Sequence, residues 1–475
     1  MRSWEAERLS KDKDFAVTQL LNLSAFSTSA VMFMKRINWI LIILCAIAGS
    51  SFLFYDPMPF VDLVSGARVY DFYIRWPAVR IFTEPFYAFV FYALTLNRDF
   101  YKPALISWVI WVLTAAFLYC RAAKKNLINT VIRLFYSLIL LITIFIFAVL
   151  LPLPGPKLIK PQGYIAADIH SHTVSSHDNI STSLSNLKFH LTQGYDSFFI
   201  TEHNHTEGFK KFPRKEQLKT VFPGVQMQTK DGVSVLILSG KEFSASQYKD
   251  MHLEDLIEKA HQNDMLVIMP HWWKWRKFGL SELAEMGIDG FEIYNCGYRN
   301  LTVNDQKQII AAASKEKLLM FGSTDWHGWG YMTDVWTVFK GNKKAGLYDE
   351  LAKKPRTSVI TYRREQTASP VRFIFEPFFA FYYYAKSADI FSVMSFMIWI
   401  GIIAVLVTSP MMQKVKVYLP FLFSALFAVL VIYFFLLSAS TNGLNKIIMS
   451  SIVPAVSALC LLWLIYGFID EKFKN

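Results

Sequence analysis

Tyr164-Ile165-Ala166-Ala167-Asp168-Ile169-His170-Ser171-His172 reads as a short buried strand that ends on two imidazoles, and the pattern recurs along the chain. The runs 198–203, 236–242, 267–271, 291–295 and 319–327 also stop on His, Glu or Asp: Glu202-His203, Glu242, His271, Glu292 with Asn295, and Asp325 with His327. One His-x-His is weak evidence, because alternate residues of any strand share a face. Six successive strand ends carrying such groups are not explained by solvated loops, and they point to a shared metal site. Nitrogen and carboxylate ligands without thiolates suit Zn, Mn or Fe. Such cations lower the pKa of bound water and neutralise charge on a phosphoryl group, so metal-bound hydroxide replaces a side-chain nucleophile.

Around these ends, strand-like runs (164–170, 197–201, 234–242, 265–270, 290–294, 318–323, 334–339 and 357–361) alternate with helical patterns (183–193, 253–263, 280–287, 303–316 and 345–353). Such alternation implies an α/β domain of parallel strands with crossover helices, and its length suits a barrel of about seven strands. All ten histidines fall in this region, whose charges are nearly balanced. His190 and His261 lie in amphipathic helices and read as surface or packing residues. His205, two after His203, could point into the same mouth.

The rest of the chain is different. With 53% hydrophobic and 16% aromatic residues overall, part of it is too apolar for soluble domains. Six uncharged or nearly uncharged runs, 37–55, 103–120, 129–151, 389–408, 417–438 and 446–468, are long enough to cross a bilayer. The net charge of +12 then belongs mainly to the membrane part and its loops, and no nucleic-acid partner is implied. Cys45, Cys120 and Cys460 lie in apolar segments and Cys296 is alone in the soluble domain, so no disulfide framework fixes the compartment. The expected organisation is an N-terminal segment 1–36 on the cytoplasmic side, a first membrane part 37–156, a soluble domain 160–366 and a second membrane part 369–475.

Segments 80–89 and 372–381 share the pattern R-x3-E-P-F-x-A-F, carried by Arg80, Glu84, Pro85 and Phe86 and by Arg372, Glu376, Pro377 and Phe378. This reads as a duplicated membrane unit with the soluble domain between its copies. The second copy is too short to span, so 78–96 and 372–386 are expected as interfacial or re-entrant helices, with proline starting each one. The basic clusters at Lys35-Arg36, Arg121 to Lys125, Lys414 to Lys416 and Lys472 to Lys474 then share the cytoplasmic side, which puts the soluble domain outside, at a bacterial inner (plasma) membrane. Arg80, Glu84, Arg372 and Glu376 could contribute to the site from the membrane side.

His170-Ser171-His172-Thr173, Thr201-Glu202-His203, Gly240-Lys241-Glu242, Pro270-His271, Phe291 to Asn295 and Ser323 to His327 together resemble the PHP family, named for polymerase and histidinol phosphatase. The resemblance covers most of 164–362 and none of the membrane sequence. It implies a distorted, TIM-like (β/α)7 barrel, three divalent metals and phosphoester hydrolysis. By that similarity His170, His172, Glu242 and Asp325 hold one metal. Glu242 bridges to a second held by His271 and His252, and Asp178, His203 and His327 hold the third. His177 or Asp178 could be the ligand of that loop. Glu202, Glu292 and Asn295 fit a supporting tier.

Trp272-Trp273-Lys274-Trp275-Arg276-Lys277, with Trp326, Trp329 and Tyr331, is a mixture suited to a membrane interface, where Lys274 and Arg276 would meet phosphate. The expectation is a membrane-anchored phosphoesterase acting on a lipid or lipid-linked ester. Other readings are a tethered hydrolase of soluble phosphoesters, or a non-catalytic metal- or ligand-binding domain of a transporter or signalling protein. The spans carry few polar residues, which disfavours a transporter.

Overall fold

The computed structural model describes residues 60–82, 84, 98–123, 155–297, 301–328, 333–361, 370–387 and 390–408. In chain order its strands are β1 Phe60–Asp62, β2 Arg68–Val69, β3 Tyr73–Arg75, β4 Lys157–Ile159, β5 Tyr164–Asp168, β6 Ser197–His203, β7 Val221–Gln228, β8 Ser234–Leu238, β9 Leu266–Met269, β10 Gly290–Asn295, β11 Leu319–Ser323, β12 Val335–Lys340 and β13 Ser358–Thr361. The helices are α1 Arg98–Ala123, α2 Ser183–Gln193, α3 Glu207–Lys210, α4 Leu253–Gln262, α5 Trp272–Trp275, α6 Leu280–Glu285, α7 Val303–Lys315, α8 Leu347–Ala352, α9 Pro370–Ser387 and α10 Ile390–Thr408.

Eleven strands form one curled sheet in the order β11-β10-β9-β8-β7-β6-β5-β12-β13-β1-β2. β5, β6 and β7 are parallel, as are β9, β10 and β11, whereas β8 runs antiparallel to both β7 and β9. β12 lies antiparallel to β5, and β13 and β1 continue that side. An all-parallel sheet is therefore corrected to a mixed one. The hydrophobic pattern predicts no strand at 221–228, and inserting that strand reverses the direction of β8. β1 and β2, which precede 160, extend the same sheet, with Asp62 accepting from Val359 N at 3.0 Å.

Among the described residues the sheet does not close into a continuous barrel. At one end the chain beyond β5 meets the chain beyond β11 through the isolated bridge Ser171 to Trp326, with Asp325 N donating to His170 O at 2.8 Å. Elsewhere β11 is held to β12 and β13 by threonine hydroxyls. Thr337 Oγ1 donates to Gly322 O and accepts from Gly322 N, both at 2.8 Å, and Thr357 Oγ1 donates to Met320 O at 2.7 Å. Gly322 is required there, because a Cβ would lie 2.4 Å from Val335 and 2.5 Å from Val359. The hydroxyls satisfy backbone groups that a closed ladder would otherwise pair.

Alternation of side chains along the strands builds two apolar layers. Ile165, Ala167, Phe199, Phe222, Leu236, Ile268 and Phe321 fill the inside of the curl, together with Leu347 and Leu351 of α8. Val235, Ile237, Val267, Phe291 and Ile293 face outward under Leu253, Leu256, Ile257 and Ala260 of α4. Full burial of each large apolar side chain contributes about 1.5–3 kcal/mol, which fixes the strand ends firmly enough to carry a site.

Among the described residues no helix is long and apolar enough to cross a membrane. The stretches 37–55, 129–151, 417–438 and 446–468 lie outside the described residues, and the described side chains of α10 cover only part of 389–408. The two copies of the repeat hold one another's helices. In the first copy, Phe82 O accepts from Trp399 Nε1 of α10 at 2.6 Å, and Arg80 bonds both Glu84 and Ser392 of α10. In the second, Ile374 O, at the corresponding position, accepts from Trp111 Nε1 of α1 at 2.7 Å. α9 is kinked at Phe375, which leaves Pro377 in the first turn of its second segment. Arg80, Glu84 and Glu376 are buried within this helical layer, so Arg80 and Glu84 serve its packing instead of reaching the strand ends. The side chain of Arg372 lies outside the described residues.

Candidate metal centre

Because β5, β6, β7, β9, β10 and β11 run in one direction, their C-terminal ends meet at one edge of the curl. β5 delivers His170 and His172, β6 His203, β9 His271, and β11 Asp325 and His327. Two groups have ligand atoms close enough for a cation, His170 with His271 and Asp325, and His172 with His203 and His327. A third grouping, His177 with Asp178 and His203, reuses His203.

The first group is buried. His170 Nε2 lies 3.2 Å and His271 Nε2 3.6 Å from the Asp325 carboxylate. Behind it stands Glu292, fully enclosed, which bonds His170 Nδ1 at 2.8 Å and accepts from His271 N at 3.2 Å and from Ser323 Oγ. Asn295 Nδ2 donates to His271 Nδ1 at 3.3 Å. These bonds turn both Nε2 atoms toward Asp325, the usual task of outer partners at a metal-binding imidazole. His271 and Asp325 both hold left-handed backbone, φ 45° and φ 46°. For such residues that conformation costs about 1–3 kcal/mol and persists where function sets the geometry. Gly297 permits the turn at Asp325, since a Cβ there would meet Asp325 O at 2.8 Å.

The second group is more open. Asp178 Oδ2 is 3.2 Å from both His203 Nε2 and His327 Nε2. His172 Nε2 is 3.2 Å from Asp325 Oδ1 but lacks hydrogen-bond geometry, and among the described residues this buried nitrogen has no hydrogen-bond partner. Such an atom costs free energy unless a ligand completes it. Five converging imidazoles with two carboxylates fit divalent N/O-binding metals. Between the two open choices for the loop, Asp178 is the residue set among the imidazoles, while His177 is exposed with its ring 5.1 Å from that of His203.

The electrostatics follow from crowding. Burial lowers His170, but Asp325 and Glu292 outweigh it and hold the imidazole up at about 9. Burial likewise opposes His327, yet Asp325 and Asp178 raise it to about 9. In His271 burial dominates and pushes it down to about 4, and His172 falls well below its usual value through burial and the neighbouring His327. Burial works against the Asp325 carboxylate, but His170 and His327 hold it far below the ordinary range.

Several expected residues are not brought here. Glu242 follows β8, whose far end pairs with the start of β7, and its half-exposed carboxylate is 3.7 Å from Lys210 Nζ. The reversed direction of β8 is why it misses the cluster. His252 bonds Asp231 at 2.9 Å at the start of α4, and His205 bonds Ser175 O at 3.0 Å. Arg276 is paired with Asp305 at 2.7 Å, and Lys274 lies over the Trp275 ring at 4.5 Å. Nor do the tryptophans form an outward belt among the described residues. Trp273 is buried in the core, and Trp326 stacks on Phe189 with centroids 4.2 Å apart. Trp329 and Tyr331 lie outside the described residues.

Glu202 accepts from Thr173 N at 3.0 Å and from Ser176 Oγ, which in turn lies 3.4 Å from His172 Nδ1, so it braces the loop beside the second group. Burial pushes its carboxyl up despite those bonds. Two features are not legible from the strand-end pattern. Gln226 on β7 places Oε1 3.2 Å from His170 Nε2. Asp168 joins His190 Nε2 at 2.9 Å, His170 N at 3.2 Å and Thr324 N at 3.1 Å, tying the ends of β5 and β11 together. His190 is fully buried for this purpose. A signal exists in its spacing from Asn186, one helical turn earlier, which donates to His172 O at 2.7 Å.

Fold and site together define an α/β protein with a histidine-rich cluster where its parallel strands end. No family model and no curated protein matches the chain. It is similar to solved structures. One is a two-domain protein of Bacteroides vulgatus containing a predicted PHP-like metal-dependent phosphoesterase, at 16% identity and TM-score 0.35, covering 46% of this chain and 69% of that one. Another is PsfC of Pseudomonas syringae, at 14% identity and TM-score 0.32, covering 47% and 98%. A third is an amidohydrolase of Chromobacterium violaceum, at 12% identity and TM-score 0.29, covering 34% and 87%.

Proposed function

We propose that this chain is a membrane-anchored, metal-dependent phosphoesterase of PHP type. The observation that carries the reading is the convergence of five imidazoles on Asp325 and Asp178, with His172 Nε2 buried and unsatisfied among the described residues. Divalent cations such as Zn, Mn or Fe would supply hydroxide at neutral pH and neutralise phosphoryl charge. His170, His271 and Asp325 hold the deeper position, with His172, His203, His327 and Asp178 at the outer one. Glu292 and Asn295 keep the imidazoles aimed, and the exposed His177 stands at the entrance. The membrane part rests on the six apolar runs and the repeat, with the soluble domain inserted between its copies on the extracytoplasmic side of a bacterial inner membrane. The preferred substrate is the phosphate ester of a lipid or lipid-linked molecule.

A tethered hydrolase of soluble esters is favoured by one observation, the inward packing of Trp273 and Trp326, which removes part of the expected interfacial belt. Phosphate release by the purified full chain from detergent-dispersed phospholipids and polyprenyl phosphates, against chromogenic soluble mono- and diesters, separates the two. Faster turnover of the lipids supports the first reading and equal or faster turnover of the soluble esters the second. No turnover of any ester, with metal present, removes the enzyme assignment.

A further inference from the structure

We infer that the centre holds two cations, not three, with Asp325 bridging them and the neutral amide oxygen of Gln226 completing the inner one. This rests on the metal-dependent reading above and concerns only how its ligands are shared out. The bridging carboxylate expected at Glu242 is elsewhere, half-exposed beside Lys210. Beside Asp325, the side chain that faces His170 Nε2 is Gln226, at 3.2 Å.

Glu292 is committed to His170 Nδ1, His271 N, Asn295 and Ser323, and Glu202 to Thr173 and Ser176. That leaves Asp178 and Asp325 as the carboxylates aimed at the imidazoles among the described residues. Three dications against Asp178, Asp325 and the ionised Glu292 behind them would leave three uncompensated positive charges in a partly buried site, whereas two dications leave one, which a phosphate ester can balance. The third grouping adds only His177 to side chains already used by the outer position. Asp325 is the natural bridge, since Oδ1 is 3.2 Å from both His170 Nε2 and His172 Nε2 while Oδ2 faces His271 Nε2 at 3.6 Å. His170, His271 and Gln226 then serve the inner cation, and His172, His203, His327 and Asp178 the outer one.

The test is the metal content of the full chain, stripped with chelator, reloaded with Mn²⁺ and analysed by elemental mass spectrometry and electron paramagnetic resonance. Two equivalents per chain with an exchange-coupled signal are expected. Asp325→Asn should lose the coupling, and His271→Ala and His203→Ala should each fall to one uncoupled equivalent. Gln226→Glu, nearly isosteric, should tighten the inner cation by about tenfold or more, the scale of a changed metal partner, while the stoichiometry stays at two. Three equivalents in the unaltered chain, two without coupling, or an inner affinity untouched by Gln226→Glu would overturn the inference. Three would leave the metallohydrolase reading standing, whereas no bound metal would remove both.

Discussion

The two halves of the cluster are built differently. At the inner one, His170, His271 and Asp325 are buried, backed by a buried carboxylate, and His271 and Asp325 sit on strained backbone. At the outer one, His203 at the end of β6 and His327 and Asp178 on loops are partly exposed. Rigid, desolvated donors suit a permanently held cation. Donors on an open loop suit the position where substrate enters and water exchanges. Under the proposed function, preorganisation would be concentrated away from where substrate enters.

The largest effect should come from the residue common to both halves. Asp325→Ala is expected to lower turnover of a chromogenic phosphoester by at least about 10²–10³-fold, the scale of losing a direct electrostatic contact at a reacting centre. A smaller loss would mean that the two halves do not share it. Next comes Glu292→Gln, which leaves the inner ligands in place but removes the charge that orients His170. Inner-site affinity should fall by about 10–100-fold with the outer site little changed, as read by metal titration. Equal weakening of both sites would erase the distinction.

Acidity provides a third comparison. His170 and His327, raised to about 9, must lose protons before they can bind a cation, so metal affinity should climb between pH 7 and 9, by up to about tenfold per unit for each proton released. In the metal-free chain the sign is opposite. An imidazole whose pKa is raised by folding stabilises the fold below its ordinary range, and that contribution is lost as pH rises through about 9. Thermal melts with and without Mn²⁺ over this range should therefore diverge. The smallest effects are expected at Glu242→Ala and His252→Ala, where activity should stay within about twofold, because both side chains pair away from the cluster.

Much of the site is legible in the sequence because its chemistry stands at strand ends. His170, His172, His203, His271, Asp325 and His327 each follow an apolar run that forms a strand. Strand direction is the part that misleads. Val221-Phe222-Pro223-Gly224-Val225-Gln226 carries a proline and a glycine, which argue against a strand, yet it forms the strand beside β6. Without β7 the alternation makes β8 parallel and Glu242 a ligand, while Gln226, the true neighbour of His170, carries no charge to mark it. The clamp of Asp168 and His190 is hidden for another reason. A buried polar pair leaves little trace in hydrophobic periodicity, and its meaning arises only when α2 is laid across the strand ends. The clasp between repeats, Trp399 on Phe82 O and Trp111 on Ile374 O, shows the opposite case, in which sequence similarity between 80–89 and 372–381 does announce related local structure.

The central claim is that these imidazoles and carboxylates act through bound cations on a phosphoester. Its most direct test is to strip the purified full chain with chelator and track hydrolysis of a chromogenic phosphoester as Mn²⁺ is returned, alongside His170→Ala. The account predicts no turnover without metal, recovery that saturates with added Mn²⁺, and no recovery in His170→Ala. Hydrolysis that survives chelation, or that returns equally in His170→Ala, would contradict it.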